Sequence, residues 1–173
     1  MHRHPDRFIL IGFMGTGKSS VAQALAALLG FSVRELDAMI VERSGRASIP
    51  DIFEHEGEPR FRDLESEVCA AVQHERSVVV STGGGVIGRE INMQHLTTEG
   101  SVVVFLRTSF DQILARSGEL HDRPLFRNGQ QARELFERRA PLYIQWSNLV
   151  IDTDAKSVEE ICSEILSSIQ SRP

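Results

Sequence analysis

Gly12-Phe13-Met14-Gly15-Thr16-Gly17-Lys18-Ser19 satisfies the pattern G-x-x-x-x-G-K-[ST], and the chemistry that pattern suits is the holding of a polyphosphate. Glycines let backbone N–H groups turn inward around phosphate oxygens, and the N-terminus of a following helix adds partial positive charge. Lys18 would then pair with the β- and γ-phosphates, and the Ser19 hydroxyl would ligate Mg²⁺. In a chain of this composition the pattern arises by chance with a probability of roughly 0.001, which disfavours a mere glycine turn with a solvated lysine.

Four other groups could serve a second substrate. Glu35-Leu36-Asp37 ends an apolar run with two carboxylates at period two, or with one on a strand and one on the cap of the next helix. Arg62 and Glu65 stand three apart on a helical segment and are neighbours on its surface. Thr82-Gly83-Gly84-Gly85 offers backbone with no side chain to block a ligand. Arg138-Arg139-Ala140-Pro141-Leu142-Tyr143 reads as the end of one helix and the start of another turn. Two arginines at one locus suit a small carboxylate, because each can bond bidentately. Each group also has a plain structural role open to it. Asp37 could be a helix N-cap, Arg62 the partner of Glu65 on a wet helix face, and Arg139 a basic helix end. The histidines show no metal-ligand spacing.

These residues need elements to hold them. β-branched runs at Phe8–Phe13, Phe31–Leu36, Ser77–Ser81, Ser101–Arg107 and Asn148–Thr153 alternate with helix-period segments, which predicts a parallel sheet covered on both faces. Lys18–Leu29 is expected to be a helix stopped by Gly30, while Ser109–Gln112 and Ser157–Glu160 read as capping boxes. An insert between the second and third strands should hold a helix after Asp37, a short one near Pro50–His55, and one carrying Phe61, Leu64, Val68 and Val72. Gly118–Gln130 is polar and long enough to be a lid.

The composition narrows the classes. At 173 residues the chain is the size of one domain with a real core, and Cys69 and Cys162 read as free, buried thiols. A net charge of −5 argues against a general nucleic-acid surface. No run approaches the roughly 18 apolar residues of a membrane helix, and polar Met1–Arg7 is not followed by a signal-peptide core, so the cytosol is the expected compartment. Arg accounts for 17 of the 19 basic residues, a bias that suits anion binding but is mostly compositional. A switch GTPase would carry N-K-x-D, which is absent, and a large motor ATPase would want more chain. A small-molecule kinase or a non-catalytic nucleotide-binding relative remains.

In combination these residues resemble shikimate kinase from Ile9 to about Ser168. The landmarks are the phosphate loop, the acidic end of the second strand, Gly45, Ile52-Phe53, Gly57-Glu58, Phe61-Arg62-x-x-Glu65, Gly83-Gly84-Gly85, Arg123-Pro124-Leu125 and Arg139-x-Pro141-Leu142-Tyr143. The resemblance implies an α/β three-layer sandwich of the nucleoside-monophosphate-kinase type. Its five-stranded parallel sheet would run in order 2-3-1-4-5, in one domain over residues 1–173 with a substrate-binding insert at about 37–75 and a lid at about 117–130. It implies ATP and Mg²⁺ as cofactors and shikimate as the acceptor, phosphorylated at its 3-hydroxyl in aromatic amino-acid biosynthesis. Gly15, Thr16, Gly17, Lys18, Ser19 and Ser20 would hold the nucleotide, with Arg116 beside adenine and Arg123 of the lid on the transferring phosphoryl group. Asp37 would hold substrate hydroxyls and take the proton, while Arg62 and Arg139 grip the carboxylate beside Gly83, Gly84 and Gly85. The family usually has Asp where this chain has Glu35, a carboxylate that reaches Mg²⁺ through water; glutamate is one methylene longer. A monomer without nucleic-acid or membrane partners is expected. The alternatives are a non-catalytic ligand sensor and a kinase for another hydroxy acid such as gluconate.

Overall fold

The structure, a computed structural model, describes residues 5–116 and 129–171. Five strands, β1 (Arg7–Ile11), β2 (Ser32–Glu35), β3 (Val78–Ser81), β4 (Ser101–Arg107) and β5 (Leu149–Asp152), form one parallel sheet in order β2-β3-β1-β4-β5. Around it lie α1 (Lys18–Leu29), α2 (Leu36–Ser44), α3 (Ile49–Ala71), α4 (Glu90–Leu96), α5 (Phe110–Arg116), α6 (Gly129–Trp146) and α7 (Val158–Gln170). None of the described helices is long and apolar enough to cross a membrane.

Strand periodicity divides the core. Ile9, Ile11, Val78, Val80, Val103 and Phe105 face the layer that holds α2, α3, α4 and α6. Their alternates Phe8, Leu10, Val79, Val102, Val104 and Leu106 face α1 and α7, where Val21, Leu25, Ile161 and Ile165 meet them. Burial on both faces explains why these strands read as near-continuous apolar runs. The parallel register then brings every strand's carboxyl end to one edge: Leu10 pairs with Ser81 and Val104, Glu35 with Ser81, and Arg107 with Asp152.

Local chemistry sets the helix limits. Gly30 closes α1 in a left-handed conformation, and Ser157 and Glu160 form a complete capping box on α7. The box expected at Ser109 is only half made: its hydroxyl accepts from Gln112 N, while its own N–H goes to Asp154 Oδ1 of the loop after β5. The insert's second and third expected helices are both present, joined end to end as α3 across a kink at Gly57, whose backbone (φ 78°, ψ 169°) leaves the helical region just before Pro59. The helix end expected at Arg138–Tyr143 is corrected as well, because α6 runs through Pro141 to Trp146. Pro141 lies on the exposed face, where water can serve the carbonyl that its missing N–H leaves unpaired.

At the opposite edge of the sheet, Arg7 is fully buried. Its Nη1 donates to Val72 O at 2.8 Å and to Glu75 O, both just past the end of α3, and its Nε to Ser101 Oγ at 3.0 Å. One guanidinium thus holds the C-terminal end of the insert against β1 and β4. Replacing it by methionine would take that donor from both carbonyls, leaving Val72 O with only the Glu75 N–H at 3.2 Å. Arg7→Met is therefore expected to cost about 2–4 kcal/mol, read from the urea midpoint, with the fold retained; an unchanged midpoint would contradict the clamp.

Candidate active site

Helix α1 begins without a side-chain cap, its N-cap being Gly17 in the left-handed region (φ 86°), and its first turn carries no carboxylate. Its leading N–H groups are thus left for an anion. Lys18 is 8 % exposed and folds back over the loop, donating to Gly12 O and Phe13 O at 2.8 Å each. The Thr16 hydroxyl lies 3.5 Å from the same ammonium. Lys18 therefore braces the loop from within. Ser20 is exposed in the first turn of α1, and Arg116, ending α5, reaches Gly15 O at 3.5 Å.

Glu35 is the N-cap of α2 and gives no side-chain capping bond, so the cap role considered for Asp37 does not hold; Asp37 lies in the first turn. The longer glutamate arm is instead turned to the phosphate loop: Glu35 Oε2 accepts from Ser19 Oγ at 3.0 Å. Its Oε1 is buried with no protein partner. A hydroxyl beside a carboxylate with one unsatisfied oxygen is the hard-oxygen donor set that suits Mg²⁺, a cation that keeps several waters and takes few protein ligands.

The glycine run after β3 lies between these groups and the insert. Thr82 anchors it, donating to Leu10 O from both N–H (3.3 Å) and hydroxyl (2.8 Å). A methyl at Gly83 would stand 2.8 Å from Asp37 Oδ1; one at Gly84, 3.1 Å from Met14 N and 3.6 Å from Arg139 Nη1; one at Gly85, 2.8 Å from Arg62 Nη2. The absent side chains leave room for Asp37, the phosphate loop and Arg62 to approach one stretch of backbone closely, with Arg139 at ordinary contact distance.

Arg62 bridges Glu65 (3.0 Å from Nη1) and Glu58 (3.2 Å from Nη2), with Phe61 5.0 Å beneath it. Its partner Glu65 is not on a wet face, being 1 % exposed. Burial raises the Glu65 carboxyl above the ordinary range, Arg62 opposes that, and Asp37 adds to it. Arg139 sits mid-helix on α6, 5.9 Å over the Phe13 ring, so the helix-end role does not apply to it. Burial lowers its pKa, and among the described residues it makes no ion pair within 4 Å. Asp37, Arg62, Gly83, Gly84, Gly85 and Arg139 thus converge on the phosphate loop, while Arg123 lies outside the described residues.

Sequence reasoning gave no role to Tyr143 or Phe13. Tyr143 stands four residues after Arg139, on the same helix face, which was the available signal. Phe13 occupies a position the phosphate-loop pattern leaves open, so nothing in the motif marked it.

A parallel sheet in order 2-3-1-4-5 with a phosphate loop after its central strand defines a P-loop kinase of the nucleoside-monophosphate-kinase type. The family model for shikimate kinase matches residues 14–170. A shikimate kinase of Geobacter metallireducens is 43 % identical over 95 % of this chain and 92 % of its own. The structure of shikimate kinase from Acinetobacter baumannii in complex with shikimate superposes with a TM-score of 0.89 at 34 % identity, covering 96 % of this chain and 93 % of that one. A gluconokinase from Sinorhizobium meliloti, 18 % identical with a TM-score of 0.60 over 98 % of this chain and 94 % of that one, shares the fold alone. The chain belongs to the shikimate kinase family.

The buried Glu65 gives a pH signature. A carboxyl whose folded pKa is raised favours the folded state below the ordinary carboxylate pKa and loses that contribution as pH rises through the raised value. Glu65→Gln does not titrate. The stability of wild type relative to Glu65→Gln, from urea midpoints taken between pH 4 and about pH 8, should therefore fall as pH rises. A difference that is flat or grows with pH would contradict the burial of this charge.

Proposed function

We propose that this chain transfers the γ-phosphoryl group of ATP to the 3-hydroxyl of shikimate, giving shikimate 3-phosphate and ADP. The observation that carries the reading is the convergence of two arginines and one carboxylate on a glycine run that itself abuts the phosphate loop at Met14. Family membership supports it over a kinase for gluconate, whose neighbour shares only the fold.

In this reading the N–H groups of Gly15, Thr16, Gly17, Lys18, Ser19 and Ser20 surround the phosphates, and the Lys18 ammonium exchanges its loop carbonyls for the β- and γ-phosphate oxygens. Arg116 borders the adenine side of that loop. Ser19, and Glu35 through water, would hold Mg²⁺, which would supply neutralisation of the phosphate charge. Arg62 and Arg139 take the carboxylate of shikimate from two sides beside Gly84 and Gly85, which turns the acceptor hydroxyl toward Asp37. Asp37 accepts the proton as the hydroxyl oxygen bonds to the γ-phosphorus and the bond to the β–γ bridging oxygen breaks, releasing ADP. The segment at about 37–75 is the substrate-binding insert of a domain spanning residues 1–173. In this reading the lid is the segment at about 117–130, of which 117–128 lie outside the described residues and Gly129 and Gln130 begin α6, and Arg123 on it meets the transferring group. Such an enzyme acts in the cytosol as a monomer, without nucleic-acid or membrane partners.

The direct test is shikimate-dependent ADP release: a folded preparation that binds ATP and shikimate but shows no stimulation would support the sensor reading instead. Arg62→Ala and Arg139→Ala should each raise the shikimate KM about 10- to 100-fold, the worth of a charge-assisted hydrogen bond, with the ATP KM little changed. Lys18→Ala should chiefly lower kcat. Glu35→Asp should keep turnover Mg²⁺-dependent; a Mg²⁺ titration in which that variant is inactive at every concentration would contradict the water-bridged role.

A further inference from the structure

Tyr143 is 1 % exposed, and its ring stacks on Phe105 of β4 with centroids 5.0 Å apart. Its hydroxyl donates to Gly84 O at 2.5 Å. The Arg139 guanidinium leaves α6 one turn earlier, on the same helix face, with Nη1 3.6 Å from where a methyl on Gly84 would stand. The ring alone would satisfy the core, and phenylalanine would fill the space as well. A buried hydroxyl costs free energy unless it is paired, so its presence is explained by its partner. That bond crosses the pocket read above as the carboxylate site: Gly84 comes from the loop after β3, and Tyr143 from the helix that carries Arg139.

We propose that Tyr143 is a positioning residue for the substrate carboxylate: its hydroxyl ties the Gly84 carbonyl to the helix that carries Arg139 and so fixes the spacing of the two halves of the pocket. This rests on the shikimate reading of that pocket. Arg139 has several rotatable bonds and no ion pair among the described residues to hold it, while its contact with the Phe13 ring at 5.9 Å restrains the plane of the guanidinium without fixing its distance from Gly84. The Tyr143 bond to Gly84 sets how far this stretch of α6 stands from the glycine run. On binding, the carboxylate then meets a guanidinium already aimed, and less side-chain entropy is lost.

The experiment is steady-state kinetics on the full chain carrying Tyr143→Phe, which keeps the ring and its stack on Phe105. The shikimate KM should rise about tenfold, while the ATP KM and kcat stay within about twofold. In an Arg139→Ala background the same change should raise the shikimate KM by less than about twofold, because the group it positions is gone. Phe105→Leu, which loosens the stack and leaves the hydroxyl, should lower the melting temperature with the shikimate KM held within about twofold. Three results overturn the inference alone: no change in shikimate KM for Tyr143→Phe where Arg139→Ala raises it, an undiminished rise in the Arg139→Ala background, or an equal rise for Phe105→Leu. An Arg139→Ala enzyme with wild-type shikimate KM overturns the carboxylate-pocket reading and the inference with it.

Discussion

A guanidinium drawn largely out of water, with no carboxylate partner among the described residues, is the condition around which this site is built. Arg139 has its pKa pulled down by burial, and what steadies it is the Phe13 ring and the more distant charge of Glu65. Arg62, close by, has two carboxylates and a ring. The two arginines repel each other, and Glu65 lies buried between their fields. An anion entering beside Gly84 and Gly85 removes that repulsion, which is how a chain of net charge −5 binds acidic substrates: local charge, focused in a partly dry cleft, decides, and whole-chain charge does not.

The rest of the architecture makes the approach possible. Parallel register puts the ends of β1, β2 and β3 together, so the phosphate loop, Glu35 and the glycine run share one edge. Thr82 ties β3 to Leu10 of β1, and the missing side chains at Gly83, Gly84 and Gly85 open the space into which Asp37, Arg62 and Arg139 reach from three helices. At the far edge Arg7 holds the end of α3, the helix that carries Arg62 and Glu65, to the same central strand. The insert is thus referenced to β1 at both edges of the sheet.

What could be read from sequence follows from the range of the interactions. Lys18–Leu29 was bounded correctly because a phosphate loop starts it and Gly30 ends it, both local signals, and the sheet order came with the family resemblance. The grouping of Asp37, Arg62, Gly83, Gly84, Gly85 and Arg139 also came from resemblance, and the close approaches at the glycines give it physical form. Local rules failed where a distant partner intervened. Asp154 takes the Ser109 N–H that a capping box needs, an exposed surface lets α6 pass through Pro141, and burial under the sheet turns Glu65 from a surface ion-pair partner into a core carboxylate. The pairings of Arg7 with Val72 and of Tyr143 with Gly84 cross 65 and 59 residues, and no periodicity carries such contacts.

The central claim is that Arg62 and Arg139 recognise a carboxylate. Titration calorimetry of the wild-type chain with shikimate and with its neutral carboxamide tests it most directly, since the acceptor keeps its shape while its charge and one accepting oxygen are lost. Weaker binding of the amide by at least about 100-fold is predicted, corresponding to the loss of charge-assisted bonds to two arginines. Equal affinity for the two would contradict the account.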